Sequence, residues 1–238
     1  MDILVSGAEK LGLVLDHEQQ RRFLLYYQEV LEWNSRINLT SVVDWHEFQR
    51  RHLLDSLTIS LVLPKSTLAC GRVLDVGSGA GLPGLPLKIA RPNIKLSLLD
   101  STAKKTAFLK HIIKALVLDG VEVYTGRAEE LGHNDTLREG FDVVVSRALA
   151  PLRVLAEFTL PFCRPGGIVV APKKGAIEQE VAEAEPSIIA LGGCLKEIRK
   201  VNLEELNGDG RVLVVLEKKT PTSSRYPRRP GVPQKRPL

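Results

Sequence analysis

The stretch Val73-Leu74-Asp75-Val76-Gly77-Ser78-Gly79-Ala80-Gly81 is the part of this chain whose residue types and spacing point most directly to chemistry. A short apolar run contains an acid and is followed by three glycines at every second position. A turn of this kind lets main chain approach a bound molecule closely, because glycine has no side chain in the way and tolerates positive φ. The helix-compatible segment Leu85–Ala90 comes next, and a helix start offers unpaired N–H groups and a positive dipole end. The arrangement suits a nucleotide-like cofactor at the carboxyl end of a first parallel strand. The spacing G-x-G-x-G differs from the dinucleotide fingerprint G-x-G-x-x-G, and Leu82-Pro83-Gly84 delays the helix.

Further candidates follow at the ends of later apolar runs. Asp100 closes Leu96-Ser97-Leu98-Leu99 and can accept hydrogen bonds from both ribose hydroxyls of a nucleoside, with Ser101 and Thr102 able to add a hydroxyl or a helix cap. The alternative for Asp100 is a cap on the helix 103–118. Arg127-Ala128-Glu129 follows the third run, where the N–H groups of Ala128 and Glu129 are placed to read the edge of an adenine ring. Arg147, in Ser146-Arg147-Ala148, stays protonated and cannot act as a base, but its fork can orient a phosphate or a cofactor. Lys173 and Lys174 occupy the corresponding position after the fifth run, where a phosphate contact and plain solvation are evenly matched. In Trp33-Asn34-Ser35-Arg36-Ile37-Asn38-Leu39-Thr40, the side chains of Asn34, Arg36 and Asn38 are candidate RNA-facing groups or turn caps. His52 and Asp55 are too few for a metal site, and a His–Asp contact on one helix face is expected there.

Positioning these groups takes an alternation of strands and helices. Strands are expected at Arg72–Val76, Lys95–Leu99, Val121–Tyr124, Phe141–Ser146, Gly167–Ala171, Leu195–Val201 and Arg211–Glu217. Helices are expected at Leu85–Ala90, Ala103–Leu118, Ala128–Leu131, Leu152–Phe162 and Ile177–Leu191. That alternation reads as an α/β doubly wound sheet. The short link 202–210 favours an antiparallel last strand at its edge. Residues 1–64 read as helical, with one helix over 16–36 opened by a capping box of Asp16 and Gln19 and another over about 45–61 ended by Pro64. They cannot bury an apolar face alone and should pack on the following domain. The expected organisation is a helical extension over 1–64, an α/β domain over 65–217 and a basic, proline-containing tail over 218–238.

The composition, 44% hydrophobic and 26% charged, is enough for one α/β core plus an added element. No segment reaches the ~18 apolar residues of a membrane span, and the opening MDILVSGAEKLGL lacks the pattern of a secretory signal. Cys70, Cys163 and Cys194 lie far apart without metal-ligand spacing, so a reducing cytoplasm is the simplest setting. Seven basic residues lie at or after Lys218, and without them the net charge of +5 turns negative. The tail, with Arg225, Arg228 and Arg229, therefore reads either as a segment lying on nucleic acid or as a solvated arm.

The glycine motif resembles the first motif of S-adenosylmethionine-dependent methyltransferases with a Rossmann-like sheet. Taken with WNSRINLT (33–40), RRHLLDSL (50–57), LLDSTAKKTAFL (98–109), GRAEEL (126–131), SRALAPL (146–152), PKKG (172–175) and YPRRPGVPQKRPL (226–238), the chain resembles the glucose-inhibited division protein B family of bacterial 16S ribosomal RNA guanine-N7 methyltransferases. The resemblance implies a class I fold with a seven-stranded, mostly parallel sheet, S-adenosyl-L-methionine as cofactor, no metal, and 16S ribosomal RNA of the small subunit or its precursor as partner. Gly77, Gly79, Gly81, Leu82, Asp100, Ser101, Thr102, Ala128, Glu129 and Arg147 become the expected cofactor residues, with Arg147 toward the cofactor carboxylate or the transfer site. Lys173, Lys174, Arg225, Arg228 and Arg229 join Asn34, Arg36 and Asn38 as RNA-facing candidates. Guanine N7 carries its own lone pair, so no general base is required. The competing readings are a methyltransferase for a protein or small molecule, which predicts a dispensable tail, and a non-catalytic RNA-binding assembly factor, which predicts tolerance of bulk at Gly79. An oxidoreductase fits the glycine spacing worst. A monomer in the cytoplasm meets every requirement of the sequence.

Overall fold

The apolar runs form strands whose alternate residues enter two different cores, which is what burial on both faces of a parallel sheet requires. In the computed structural model, which describes all residues except 207 and 209, the strands are β1 (Arg72–Val76), β2 (Lys95–Asp100), β3 (Val121–Thr125), β4 (Phe141–Val145), β5 (Cys163–Lys174), β6 (Gly193–Lys200) and β7 (Arg211–Lys218). Their order in the sheet is β3-β2-β1-β4-β5-β7-β6. β1 to β5 run parallel, in registers such as Val76 beside Leu99 and Asp75 beside Val145. The order reverses between β1 and β4, the place where open α/β sheets bind ligands.

The expected antiparallel last strand is present, but it is not an edge. β7 lies between β5 and β6 and is antiparallel to both. Its residues 211–216 are all buried, whereas Lys196, Glu197, Arg199 and Lys200 leave β6 the polar outer strand. Charged edge residues discourage further pairing.

The helices are α1 (Asp2–Lys10), α2 (His17–Asn34), α3 (Trp45–Phe48), α4 (Asp55–Leu57), α5 (Lys65–Cys70), α6 (Gly84–Ala90), α7 (Ala103–Ala115), α8 (Ala128–Leu131), α9 (Leu152–Thr159), α10 (Glu178–Ala190) and α11 (Val232–Lys235). One core joins Leu4, Phe23, Val30, Phe48 and Leu57 of the N-terminal helices to Leu85, Phe108, Val143, Val145 and Val170. The other joins Leu74, Val144 and Val169 to Leu155, Phe158, Ile188 and Tyr226. The capping box of Asp16 and Gln19 is formed, and the Gln19 amide also donates to the Ile89 carbonyl at 2.9 Å, tying α2 to the end of α6.

The helix expected over 45–61 is continuous but not uniform. Gln49–Leu54 is π-helical, between α3 and α4, and Thr58–Leu61 is a 3₁₀ turn. The wider turn changes the direction of the side chains that follow, and such insertions often accompany functional sites. Here it separates His52 from Asp55. His52 Nε2 meets the Thr40 hydroxyl at 2.7 Å, while Asp55 pairs with Arg147 and Arg211. The expected His–Asp contact is replaced by these two.

The C-terminal segment packs on the second core. Lys218 is fully buried; its ammonium donates to the Leu160 carbonyl at 2.7 Å and the Thr222 hydroxyl, and faces Glu139. The Arg138 guanidinium donates to the carbonyls of Gly132, Thr222, Ser223 and Tyr226. Arg228 reaches the buried Glu157 carboxylate through its main-chain N–H at 2.7 Å and its guanidinium at 2.6 Å. Composition alone leaves this segment either on nucleic acid or as a solvated arm, because groups that hold it, such as Glu157 and Glu129, lie 71 and 102 residues away in sequence. Removing one partner of a buried pair strands the other. Arg228→Ala is therefore expected to cost about 3 kcal/mol of stability, seen as a lowered denaturation midpoint. A variant as stable as the parent would contradict this structural role.

Candidate functional site

Two clefts open at the carboxyl ends of the parallel strands and share Arg147 and Ala148. The first, of about 260 Å³, is lined by Gly77 at the end of β1, Asp100, Ser101, Thr102 and Lys105 after β2, Arg127, Ala128 and Glu129 after β3, and Arg147 after β4. The second, of about 410 Å³, is lined by Ser41, Val42, Arg51, His52, Asp55, Arg147, Ala148, Lys173 and Lys174. A larger groove of about 770 Å³ lies further along the same edge of the sheet, lined by residues 175–178 after β5, the end of β6 and the start of β7. It gathers none of the residues expected to bind a ligand, so volume alone does not mark the site.

The glycine turn leaves β1 abruptly. Gly77 donates to the Leu99 carbonyl at 2.8 Å, and the φ angles at Gly77, Gly79 and Gly81 are +74°, +58° and +92°. The three glycines serve different purposes. A side chain at Gly77 would meet Leu149 and one at Gly81 would meet Leu85 and Leu109, whereas at Gly79 the nearest atom among the described residues is the Gly77 carbonyl oxygen at 3.9 Å. Gly81 and the buried Leu82 thus belong to the packing beneath the turn, and of the three glycines Gly77 is the one in the lining of the first cleft. Above Gly79 the space is open.

Asp100 holds this turn. Its carboxylate accepts from Gly79 N–H at 2.9 Å and from Thr102 N–H at 2.8 Å. α7 starts from Thr102, so Asp100 is not its N-cap; it ties the glycine turn to the end of β2. A carboxylate has about four acceptor positions, which leaves capacity toward the cleft. Across the cleft, α8 begins at Ala128, where main-chain N–H groups have no intrahelical partner. The Glu129 side chain turns away from that task and accepts from Gly231 N–H at 3.0 Å.

Arg147 is fixed by α4 and the π-helical turn. It donates to Asp55 at 2.8 Å and to the Arg51 carbonyl at 3.1 Å, and Asp55 also pairs with Arg211. Ala148 is held at φ +54°, a left-handed conformation uncommon outside glycine. Tyr26 of α2, fully buried, donates to the Ala80 carbonyl at 2.6 Å and braces the glycine turn from below. Nothing in the spacing of Tyr26 marks this role. Asp75 is also buried and accepts from Gly84 N–H at 2.9 Å; burial pushes its carboxyl up to about 7. Its position inside the glycine motif was the available signal.

His52 sits in the wall of the second cleft, where burial and the Arg147 charge push its imidazole down to about 4. An imidazole depressed from 6.5 is neutral throughout pH 5–8, and the stability that depends on its neutral form is lost only as pH falls from the unfolded value through about 4. A proton NMR titration is expected to show the His52 ring unchanged down to pH 5. A midpoint near 6.5 would contradict its placement.

The remaining RNA-facing candidates divide. Asn34 is an internal turn cap: its amide donates to the Thr40 carbonyl at 2.9 Å and accepts from Leu39 and Thr40 N–H at 2.8 and 3.0 Å. Its role is to shape the turn that carries Ser41 and Val42 into the second cleft. Arg228 is engaged by Glu157. Arg36, Asn38, Lys174, Arg225 and Arg229 are exposed, Arg36 beside Glu32 and Arg225 over the Tyr226 ring. Lys173 lines the second cleft while donating to the Ala150 carbonyl at 3.0 Å and pairing with Glu180 at 2.7 Å. None of the described helices is long and apolar enough to cross a membrane.

The sequence matches the family model described as rRNA small subunit methyltransferase G over residues 19–207. Among curated proteins, it is 47% identical to a protein of Dehalococcoides mccartyi (strain CBDB1) named ribosomal RNA small subunit methyltransferase G, over all of both chains. It is 44% identical to a Roseiflexus sp. (strain RS-1) protein of the same name, again over all of both chains. Among solved structures, the fold is similar to that of Aeropyrum pernix fibrillarin, which was crystallised with natively bound S-adenosyl-L-methionine. That match has a TM-score of 0.53 and 15% identity, and covers 69% of this chain and 73% of the other.

Proposed function

The chain belongs to the rRNA small subunit methyltransferase G family, and on that premise we propose that it transfers a methyl group from S-adenosylmethionine to N7 of one guanosine in 16S ribosomal RNA. The observation that carries this reading is the meeting of the two clefts at Arg147. One wall of the second cleft is built by Ser41 and Val42, directly after the WNSRINLT turn, and by Arg51, His52 and Asp55 of RRHLLDSL, the two segments that carry the more specific part of the resemblance.

The residues present fit the cofactor. The open space above Gly79 admits a ligand against main chain, Asp100 has acceptor capacity for ribose hydroxyls, and the Ala128 and Glu129 N–H groups start a helix beside them. When bound, S-adenosylmethionine supplies an electrophilic methyl on sulfonium. Gly77, Ser101 and Thr102 complete the wall around it, and Arg147 orients the cofactor carboxylate or the transfer site. Arg147 holds its own proton and takes none. No residue has to remove a proton, because guanine N7 attacks through its lone pair. The protein contributes alignment of the reacting groups.

The second cleft receives the target nucleotide. Arg51, Arg147, Lys173 and Lys174 give it a cationic lining suited to phosphate, and Asp55 balances the innermost arginine. In A-form RNA the major groove that carries N7 is deep and narrow, so the target is an accessible or distorted base. The substrate is the small ribosomal subunit or its precursor, and one protein chain forms both clefts.

The test is transfer of labelled methyl from S-adenosylmethionine to small subunits from cells lacking this enzyme, followed by nuclease digestion. Label in 7-methylguanosine from a single site is the expected result. Label in another nucleoside, or no label despite measured cofactor binding, would refute the substrate assignment.

A further inference from the structure

The C-terminal segment does more than cover the second core. Gly231 N–H donates to the side chain of Glu129 at 3.0 Å, and Glu129 also lines the first cleft. Three residues later, Gln234 lines that cleft with Ala128, Glu129 and Phe158. The approach to this position is fixed at several points. His133 meets the Pro227 carbonyl at 2.7 Å, and Arg228 is bound to Glu157, the neighbour of Phe158 on α9. Among the described residues, Gln234 makes no hydrogen bond within the protein. Gln234 is carried to the cleft by anchored chain on its N-terminal side, and its side-chain donor and acceptor are both available.

A glutamine carboxamide pairs bidentately with adenine, accepting from the N6 amino group and donating to N7. Resting on the cofactor reading above, we propose that the C-terminal segment forms part of the cofactor site, with Gln234 selecting adenine over other bases. The side chain of Glu129 is then the latch that seats the segment, while its main chain serves the ligand. Ligand binding and seating of the segment are coupled, and by reciprocity each strengthens the other. The terminal YPRRPGVPQKRPL motif thereby has a role on the cofactor side of the enzyme, separate from any contact with RNA.

The test uses the full chain and its Gln234→Ala variant, with calorimetric titration of S-adenosylhomocysteine and of its deaminated counterpart, S-inosylhomocysteine. Loss of one bidentate base contact is expected to weaken S-adenosylhomocysteine by about tenfold. Binding of the inosyl compound should change by less than about twofold, so the preference between the two narrows. The position is exposed, so the melting temperature should not move. In the parent protein, S-adenosylhomocysteine should also slow amide exchange over residues 231–236. If the parent binds S-adenosylhomocysteine and the variant matches it for both compounds, the proposal fails while the cofactor reading stands. Equal weakening of both compounds would overturn the base-selecting role. No binding by the parent would overturn the cofactor reading and this proposal with it.

Discussion

Arg147→Ala is expected to lower kcat/KM for methyl transfer by about 10²–10³-fold, the range found when one oriented donor is removed from a reacting centre. The size of the effect follows from where the residue stands. It leaves β4 at the reversal of strand order, next to the left-handed Ala148, and its guanidinium is common to both clefts. Its orientation is set by Asp55 and the Arg51 carbonyl before any ligand enters. The loss should therefore appear in kcat as well as in KM. Folding should suffer little, because Asp55 keeps its pairing with Arg211 after the substitution. Arg147→Lys retains the charge without the planar fork and should recover less than a tenth of the lost activity, roughly. Single-turnover methyl transfer and thermal melts on the two variants provide the check. Activity of Arg147→Ala within tenfold of the parent would remove Arg147 from the reacting centre.

The parts of the site that were legible in the sequence are those made by contiguous segments. The glycine turn, Asp100 after β2, Ala128 and Glu129 after β3 and Arg147 after β4 all lie at strand ends, and a parallel sheet brings strand ends to one edge. The capping box at Asp16 was equally legible, because both halves of it lie three residues apart. What the sequence concealed depends on distant partners. Asn34 looks like a polar group offered to solvent, yet its three hydrogen bonds are all to its own turn. β7 follows β6 in the chain but enters the sheet beside β5, a placement decided by its unbroken apolar run Val212–Leu216 rather than by the connecting loop. The basic C-terminal segment lacks acids of its own, and the carboxylates that hold it belong to Glu157, Glu139 and Glu129. Charge counted along the chain could not distinguish a segment bound to its own protein from one bound to RNA. The structure distinguishes the arginines one by one: Arg228 faces inward onto Glu157, while Arg225 and Arg229 are exposed.

Gly79→Val is expected to eliminate measurable cofactor binding, with affinity reduced by at least about 100-fold. Valine at φ +58° is a conformation that a β-branched residue rarely adopts, so this variant also loses some stability. Gly79→Ala isolates the steric part. Its added methyl meets no protein atom closer than the Gly77 carbonyl at 3.9 Å, and the folding cost is limited to about 1–2 kcal/mol for the left-handed conformation. That methyl stands in the open space where a ligand would lie against the main chain, and a close contact there cannot be relieved by moving a flexible side chain. Gly81→Ala supplies the opposite case. Its methyl enters Leu85 and Leu109 beneath the turn, so the dominant effect should be destabilisation rather than selective loss of ligand. Calorimetric titration with S-adenosylhomocysteine, beside thermal melts of all three variants, distinguishes the two roles. Parental affinity in Gly79→Val would mean that the glycine turn does not face the cofactor. A Gly79→Ala variant that melts near the parent but binds at least tenfold more weakly, roughly, would place the ligand directly over Gly79, because among the described residues the nearest atom that could transmit the change is the Gly77 carbonyl oxygen at 3.9 Å.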